Sequence, residues 1–99
     1  MYLDNYINQI EKLCNNYKVK HLFAFGSVLT AEFSEKSDID LLVDIKSDDP
    51  IEYAENYFNL KFSLEKLLNR QIDLLEERAL INKFLKMSIN NSKIVIYEA

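Results

Sequence analysis

Residues 25–40 read FGSVLTAEFSEKSDID and hold the only glycine of the 99-residue chain, Gly26. The segment before it, VKHLFAFG (19–26), is short, rich in β-forming residues and closed by that glycine, which predicts a strand ending in a turn. The segment DIDLLVDI (38–45) predicts a second strand, with Ile39, Leu41 and Val43 on one face. Asp38, Asp40, Leu42 and Asp44 fall on the other. A glycine closing a strand can adopt positive φ and lets a ligand come close to backbone. The Ser27 hydroxyl and nearby N–H groups could then donate to phosphate oxygens.

Asp38 and Asp40 are two residues apart, so on a strand they project from the same face, ~6.5–7 Å apart. Like charges held that close are unfavourable unless a cation or donors lie between them. Mg2+ suits such a pair, because it takes oxygen ligands and is shared between carboxylates and substrate phosphates. An isolated D-x-D has a plainer reading, since acidic residues are mostly exposed and Asp38 could simply cap the loop. The whole pattern, G-S-x10-D-x-D, is more specific, with chance occurrence on the order of one in a thousand at average residue usage.

Working outward, residues 2–17 carry Leu3, Tyr6, Ile7, Ile10, Leu13, Cys14 and Tyr17 at helical spacing and predict an amphipathic helix. After SDDP, which offers capping residues and a first-turn proline, residues 50–69 predict a long helix with Tyr53, Tyr57, Leu60, Leu64, Leu67 and Leu68 as its apolar stripe. RQIDLLEE (70–77) reads as a strand, ALINKFLKMSIN (79–90) as a helix and KIVIYE (93–98) as a last strand. The order αββαβαβ implies an α/β (α+β) fold in which helices cover a small mixed sheet. Asp73 lies between Ile72 and Leu74, so it faces away from both and could join Asp38 and Asp40 if the second and third strands are neighbours. Three carboxylates around two metal ions form the clamp used for in-line phosphoryl or nucleotidyl displacement.

Composition limits the alternatives. With 48% hydrophobic and 28% charged residues the chain suits one folded domain, 1–99. No run approaches the ~18 apolar residues of a membrane span, and the N-terminus lacks the basic start and apolar core of a signal peptide. The single cysteine, Cys14, cannot form an intramolecular disulfide, which together with the missing signal suggests the cytoplasm. The net charge of −4 and the absence of a Lys/Arg cluster disfavour long nucleic acids, whereas a small phosphate ligand carrying cations is compatible. Cys14 lies on an apolar stripe and is expected to be a buried thiol. His21 is expected to have a structural or surface role, Tyr53 and Tyr57 to be core, and Lys66 and Arg70 to lie on a solvated face.

Gly26-Ser27, SDIDLLV (37–43) and QIDLLE (71–76) together resemble the nucleotidyltransferase superfamily that includes DNA polymerase beta, and most closely its minimal bacterial members. The resemblance runs from about residue 19 to the end. It implies that Asp38 and Asp40 bind both metal ions, Mg2+ or Mn2+, while Asp73 binds one and helps activate the acceptor hydroxyl. It implies that Gly26, Ser27 and Ser37 hold the nucleotide phosphates, with ATP as substrate. It further implies an antitoxin that transfers AMP to a tyrosine of a partner HEPN-domain ribonuclease toxin. Minimal members commonly follow GS with an arginine-containing, glycine-closed turn, whereas the turn here is GSVLTAEF. That departure keeps open a module of weak or no activity that neutralises its partner by occlusion, or a nucleotide sensor. A chain this short has no residues left for an acceptor-binding domain, so another macromolecule is expected to bring the acceptor.

Overall fold

The structure, a computed structural model, describes residues 1–99. β1 (Val19–Phe25) pairs antiparallel with β2 (Ile39–Ile45). β2 leads through α2 (Pro50–Leu68) into β3 (Ile72–Glu76), which lies parallel to β2. A parallel pair needs a crossover of this kind, because a tight hairpin cannot return the chain in the same direction. After α3 (Lys83–Ser92), β4 (Ile94–Glu98) pairs antiparallel with the free edge of β1. The sheet order is β3-β2-β1-β4, and with α1 (Ile7–Asn16) the chain follows the expected αββαβαβ order.

α2 forms where capping and periodicity agree. The Asp49 side chain accepts from the Ile51 N–H at 3.0 Å, Pro50 occupies the first turn, and Asn69 ends the helix in the left-handed region at φ 51°. Its buried stripe is Tyr53, Leu60, Leu64 and Leu68. The Tyr57 hydroxyl donates to the Leu74 carbonyl at 2.5 Å, tying the helix to β3.

Other boundaries differ from the sequence expectation. Residues 2–6 form a 3-10 turn, so the α-helix starts only at Ile7. The last helix begins at Lys83 rather than residue 79, because the Asn82 side chain caps it by accepting from the Leu85 N–H at 3.0 Å. It then continues through Ser92. β2 begins at Ile39, leaving Asp38 in the last loop position before the strand.

The two faces of the sheet are packed unequally. α1 and α2 cover one face with a cluster of 18 buried residues, while the other buries only Phe23, Leu42 and Ile89. Hydrophobic stabilisation scales with the area buried, so the first face carries the fold and the second is free to carry polar groups. Cys14 is fully buried beneath α1, and its thiol is pushed up to about 12, chiefly by burial and then by Glu11. It is therefore a packing residue, as expected. No helix is long and apolar enough to cross a membrane.

Candidate functional site

The candidate site lies on the thinly covered face, at the end of the sheet where β1 finishes and β2 and β3 begin. In the parallel register Asp40 stands opposite Asp73, and in the antiparallel register it stands opposite Phe25. β2 and β3 therefore bring two of the three aspartates side by side. Asp38 enters from the loop just ahead of β2. Asp40 is half-buried, whereas Asp38 and Asp73 are exposed.

Gly26 completes the floor. Its φ is +74°, and a Cβ built on it would lie 2.5 Å from Asp40 Oδ2. Any side chain there would combine left-handed strain with a collision against the carboxylate, so both geometry and space demand glycine. The following residues, Gly26–Leu29, turn in a short 3-10 segment closed by the Thr30 N–H and hydroxyl, each donating to the Ser27 carbonyl at 2.9 Å. The Ser27 hydroxyl has no protein partner. Ser37 Oγ, by contrast, accepts from the Ser34 N–H at 3.1 Å and serves its own loop.

The electrostatics of the three aspartates are unbalanced. Burial holds the Asp40 carboxyl above its ordinary range, and Asp73, then Asp38, push it further by like-charge repulsion and a hydrogen bond to Asp73. None of the ion pairs in the molecule involves Asp38, Asp40 or Asp73. Asp73 and Asp38 each act on Asp40, but the three carboxylates do not converge within 4.8 Å of one another as His21, Asp44 and Glu77 do. Their oxygen-only chemistry, with no protein cation paired to it, is of the kind a hard divalent ion such as Mg2+ takes. The broadest depression in the molecule lies elsewhere, at the far end of β2, between Lys20, Asp44, Lys46, Asp49, Glu52 and Arg78. Those residues belong to strand ends, loops and the first turn of α2, at the other end of β2 from Asp40.

Two expectations about basic and imidazole side chains resolve differently. Lys66 is exposed, as its position on α2 predicts. Arg70 is not on a solvated face. Its guanidinium donates to the Ser34 carbonyl and, at 3.0 Å, to the Ser37 carbonyl, and it stacks 4.4 Å from the Phe33 ring centroid and 5.2 Å from that of Tyr2. Local sequence could not reveal this, because the carbonyls and rings come from segments more than thirty residues away.

His21 is structural, as expected. Its Nε2 pairs with Glu77 Oε2 at 2.7 Å, and Asp44 stands opposite it on β2. One ligand atom from each of the three lies within 4.8 Å of the others. Asp44 is already neutralised by Arg78, whose Nε and Nη2 donate to Asp44 Oδ1 at 3.1 and 2.9 Å. Arg78 supplies the cation that this cluster needs, so it reads as a network fastening the turn after β3 to the sheet.

The geometry has counterparts among known proteins. The family described as polymerase beta, nucleotidyltransferase matches residues 8–99. A candidate protein adenylyltransferase of Methanocaldococcus jannaschii is 34% identical over 84 residues, 85% of this chain and 83% of that protein. A solved candidate minimal nucleotidyltransferase superposes with a TM-score of 0.76 at 29% identity, over 93% of this chain and 90% of its own. The MNT antitoxin solved in complex with the tri-AMPylated HEPN toxin of Shewanella oneidensis shares the fold, with a TM-score of 0.65 at 24% identity over 100% of this chain and 74% of that one. A family match spanning α1 to the last strand, over a sheet that sets Gly26 against Asp40 and Asp40 against Asp73, places this chain in the polymerase beta nucleotidyltransferase family.

Proposed function

We propose that this enzyme is an Mg2+-dependent protein adenylyltransferase, an antitoxin that moves AMP from ATP to a tyrosine hydroxyl of a partner HEPN-domain toxin. The observation that carries this reading is the register of Asp40 against Asp73 with Gly26 pressed on Asp40. The M. jannaschii relative's name and the AMPylated toxin beside the S. oneidensis antitoxin support the choice of reaction and acceptor.

In this reading the acceptor oxygen bonds to the α-phosphorus of ATP. The bond from that phosphorus to the bridging oxygen breaks, and pyrophosphate leaves with the electron pair. Asp38 and Asp40 would hold two divalent ions, and Asp73 one of them. Bound there, the ions neutralise the triphosphate and favour ionisation of the acceptor hydroxyl. Asp73 is exposed, so a macromolecular acceptor can reach it, and its carboxylate is suited to take the hydroxyl proton. The Gly26 backbone lies against Asp40, and in this reading it, the unpartnered Ser27 hydroxyl and Ser37 would hold the phosphate oxygens. Catalysis of this kind consists mainly of positioning and charge stabilisation, which suits a site of fixed backbone and carboxylates.

The test is transfer of label from α-phosphate-labelled ATP to a tyrosine of the cognate partner. The expected label requires a divalent ion and disappears on chelation; label that persists without metal contradicts the reading. A second reading, neutralisation by occlusion, is favoured by the turn after Ser27. That turn offers no basic side chain to a phosphate and commits Val28 to the core instead. Under occlusion, Asp38→Asn still protects cells from the toxin; under catalysis, protection is lost.

A further inference from the structure

We propose that Arg70 is the positioning residue of this site, fixing the backbone on which Asp38 is carried; the proposal rests on the nucleotidyltransferase reading. Asp38 is exposed and precedes β2, so no strand pairing of its own holds it. Its two neighbours are held instead, and by consecutive residues. The Ser37 carbonyl accepts from Arg70 Nη2 at 3.0 Å, and the Ile39 N–H donates to the Gln71 carbonyl at 3.1 Å. The peptide units on either side of Asp38 are thus pinned to the Arg70-Gln71 pair.

The same pair leads directly into β3. Ile72 follows, opposite Ile39, and then Asp73, opposite Asp40. Residues 70–73 therefore act as one rule, setting Asp38 through its flanking peptides and Asp40 through strand register. Arg70 also fixes the loop one turn earlier, donating to the Ser34 carbonyl, which in turn accepts from the Ser37 N–H at 3.0 Å.

The guanidinium is itself held. It stacks over Phe33 and lies against Tyr2, rings whose centroids are 5.4 Å apart, and both pack against the main core. A planar fork that stacks and donates to two carbonyls is a task lysine cannot reproduce, because its ammonium is a compact point charge. Through Phe33 and Tyr2 the position of Asp38 is referred back to the well-packed face of the sheet. No carboxylate pairs with Arg70, so its charge is spent on backbone carbonyls rather than on neutralising the site.

Two measurements on the full chain test this. Hydrogen–deuterium exchange on the metal-free protein should show faster exchange across residues 34–39 in Arg70→Ala, with the α2 core unchanged. Mn2+ affinity measured with ATP should weaken roughly 10–100-fold in Arg70→Ala, the range for groups that orient metal ligands. Arg70→Lys should recover the fold but only a fraction of that affinity. In an Asp38→Asn background, Arg70→Ala should cost little more, because both act through one carboxylate.

Unchanged exchange in the loop overturns the proposal, whatever the enzyme does. A loosened loop with wild-type Mn2+ affinity also overturns it, as does full additivity with Asp38→Asn. If Arg70→Ala does not fold, Arg70→Lys carries the same comparisons. Wild-type protein that binds no Mn2+ with ATP overturns the proposed function instead, and the exchange measurement still decides whether Arg70 fixes the loop.

Discussion

Gly26 and Asp40 illustrate how a single contact joins backbone strain to chemistry. Gly26→Ala would place a methyl 2.5 Å from Asp40 Oδ2 at a φ of +74°, so the backbone or the carboxylate must move. We expect a loss of about 1–3 kcal/mol in denaturant unfolding, the usual cost of a strained non-glycine position. Nucleotide binding with Mn2+ should fall as well. Asp40 makes a second prediction, of opposite sign. Its folded-state pKa is raised, by burial first and then by Asp73 and Asp38, so the folded metal-free protein keeps a proton that the unfolded chain releases. Stability must then fall as pH rises through the window between the ordinary carboxylate value and the raised one, and recover as pH drops through it. Thermal unfolding of metal-free Asp40→Asn should accordingly show a Tm above wild type at neutral pH, a gap that narrows on acidification. A gap that is absent, or that widens in acid, contradicts this. The aspartates were legible from spacing alone, whereas the Gly26–Asp40 contact was not, because it depends on β1 ending beside β2. The role of Arg70 escapes a local reading for the same reason: its partners are far away in sequence.

The elements that could be read best are those in which local signals agree. In α2, the Asp49 cap, Pro50 and an unbroken apolar stripe mark the same segment, and the structure follows it almost to the residue. Asp49→Ala should remove the acceptor for the Ile51 N–H and cost about 0.5–2 kcal/mol in equilibrium unfolding. The site geometry should survive, since the cap lies at the opposite end of β2 from Asp40. The apolar pattern of α3 extends back over Ala79, Leu80 and Ile81, but residues 77–79 turn in a 3-10 segment and Asn82 restarts the chain as a helix. Periodicity overran a cap. The first helix was misplaced in the same way, since apolar residues at helical spacing do not distinguish an α turn from the 3-10 turn at residues 2–6. Only the position of Asp38 bears on function. It was expected inside the strand and lies just outside it, which is why the loop needs a clamp.

At the scale of the whole molecule, the division of labour between the two sheet faces explains how 99 residues carry both a fold and a site. α1, α2 and one sheet face bury nearly all of the core. The opposite face sets Asp40 beside Asp73, with Asp38 on the loop just before β2 and no protein cation paired with any of the three. The fold class follows from the order of elements, and the adjacency of the second and third strands is the one assumption on which Asp73 depends; the β2–β3 register bears it out and shows the pair to be parallel. Asp73 is exposed, and in the proposed function the acceptor comes from a partner protein. That dependence makes the partner the natural reporter. The most direct measurement is the intact mass of the cognate toxin after co-expression with wild-type protein or with Asp40→Asn, whose folding is checked by thermal unfolding. Increments of AMP on the toxin with wild type, and none with folded Asp40→Asn, are the predicted result. The same increments with both proteins would contradict the assignment of these aspartates as the site of transfer.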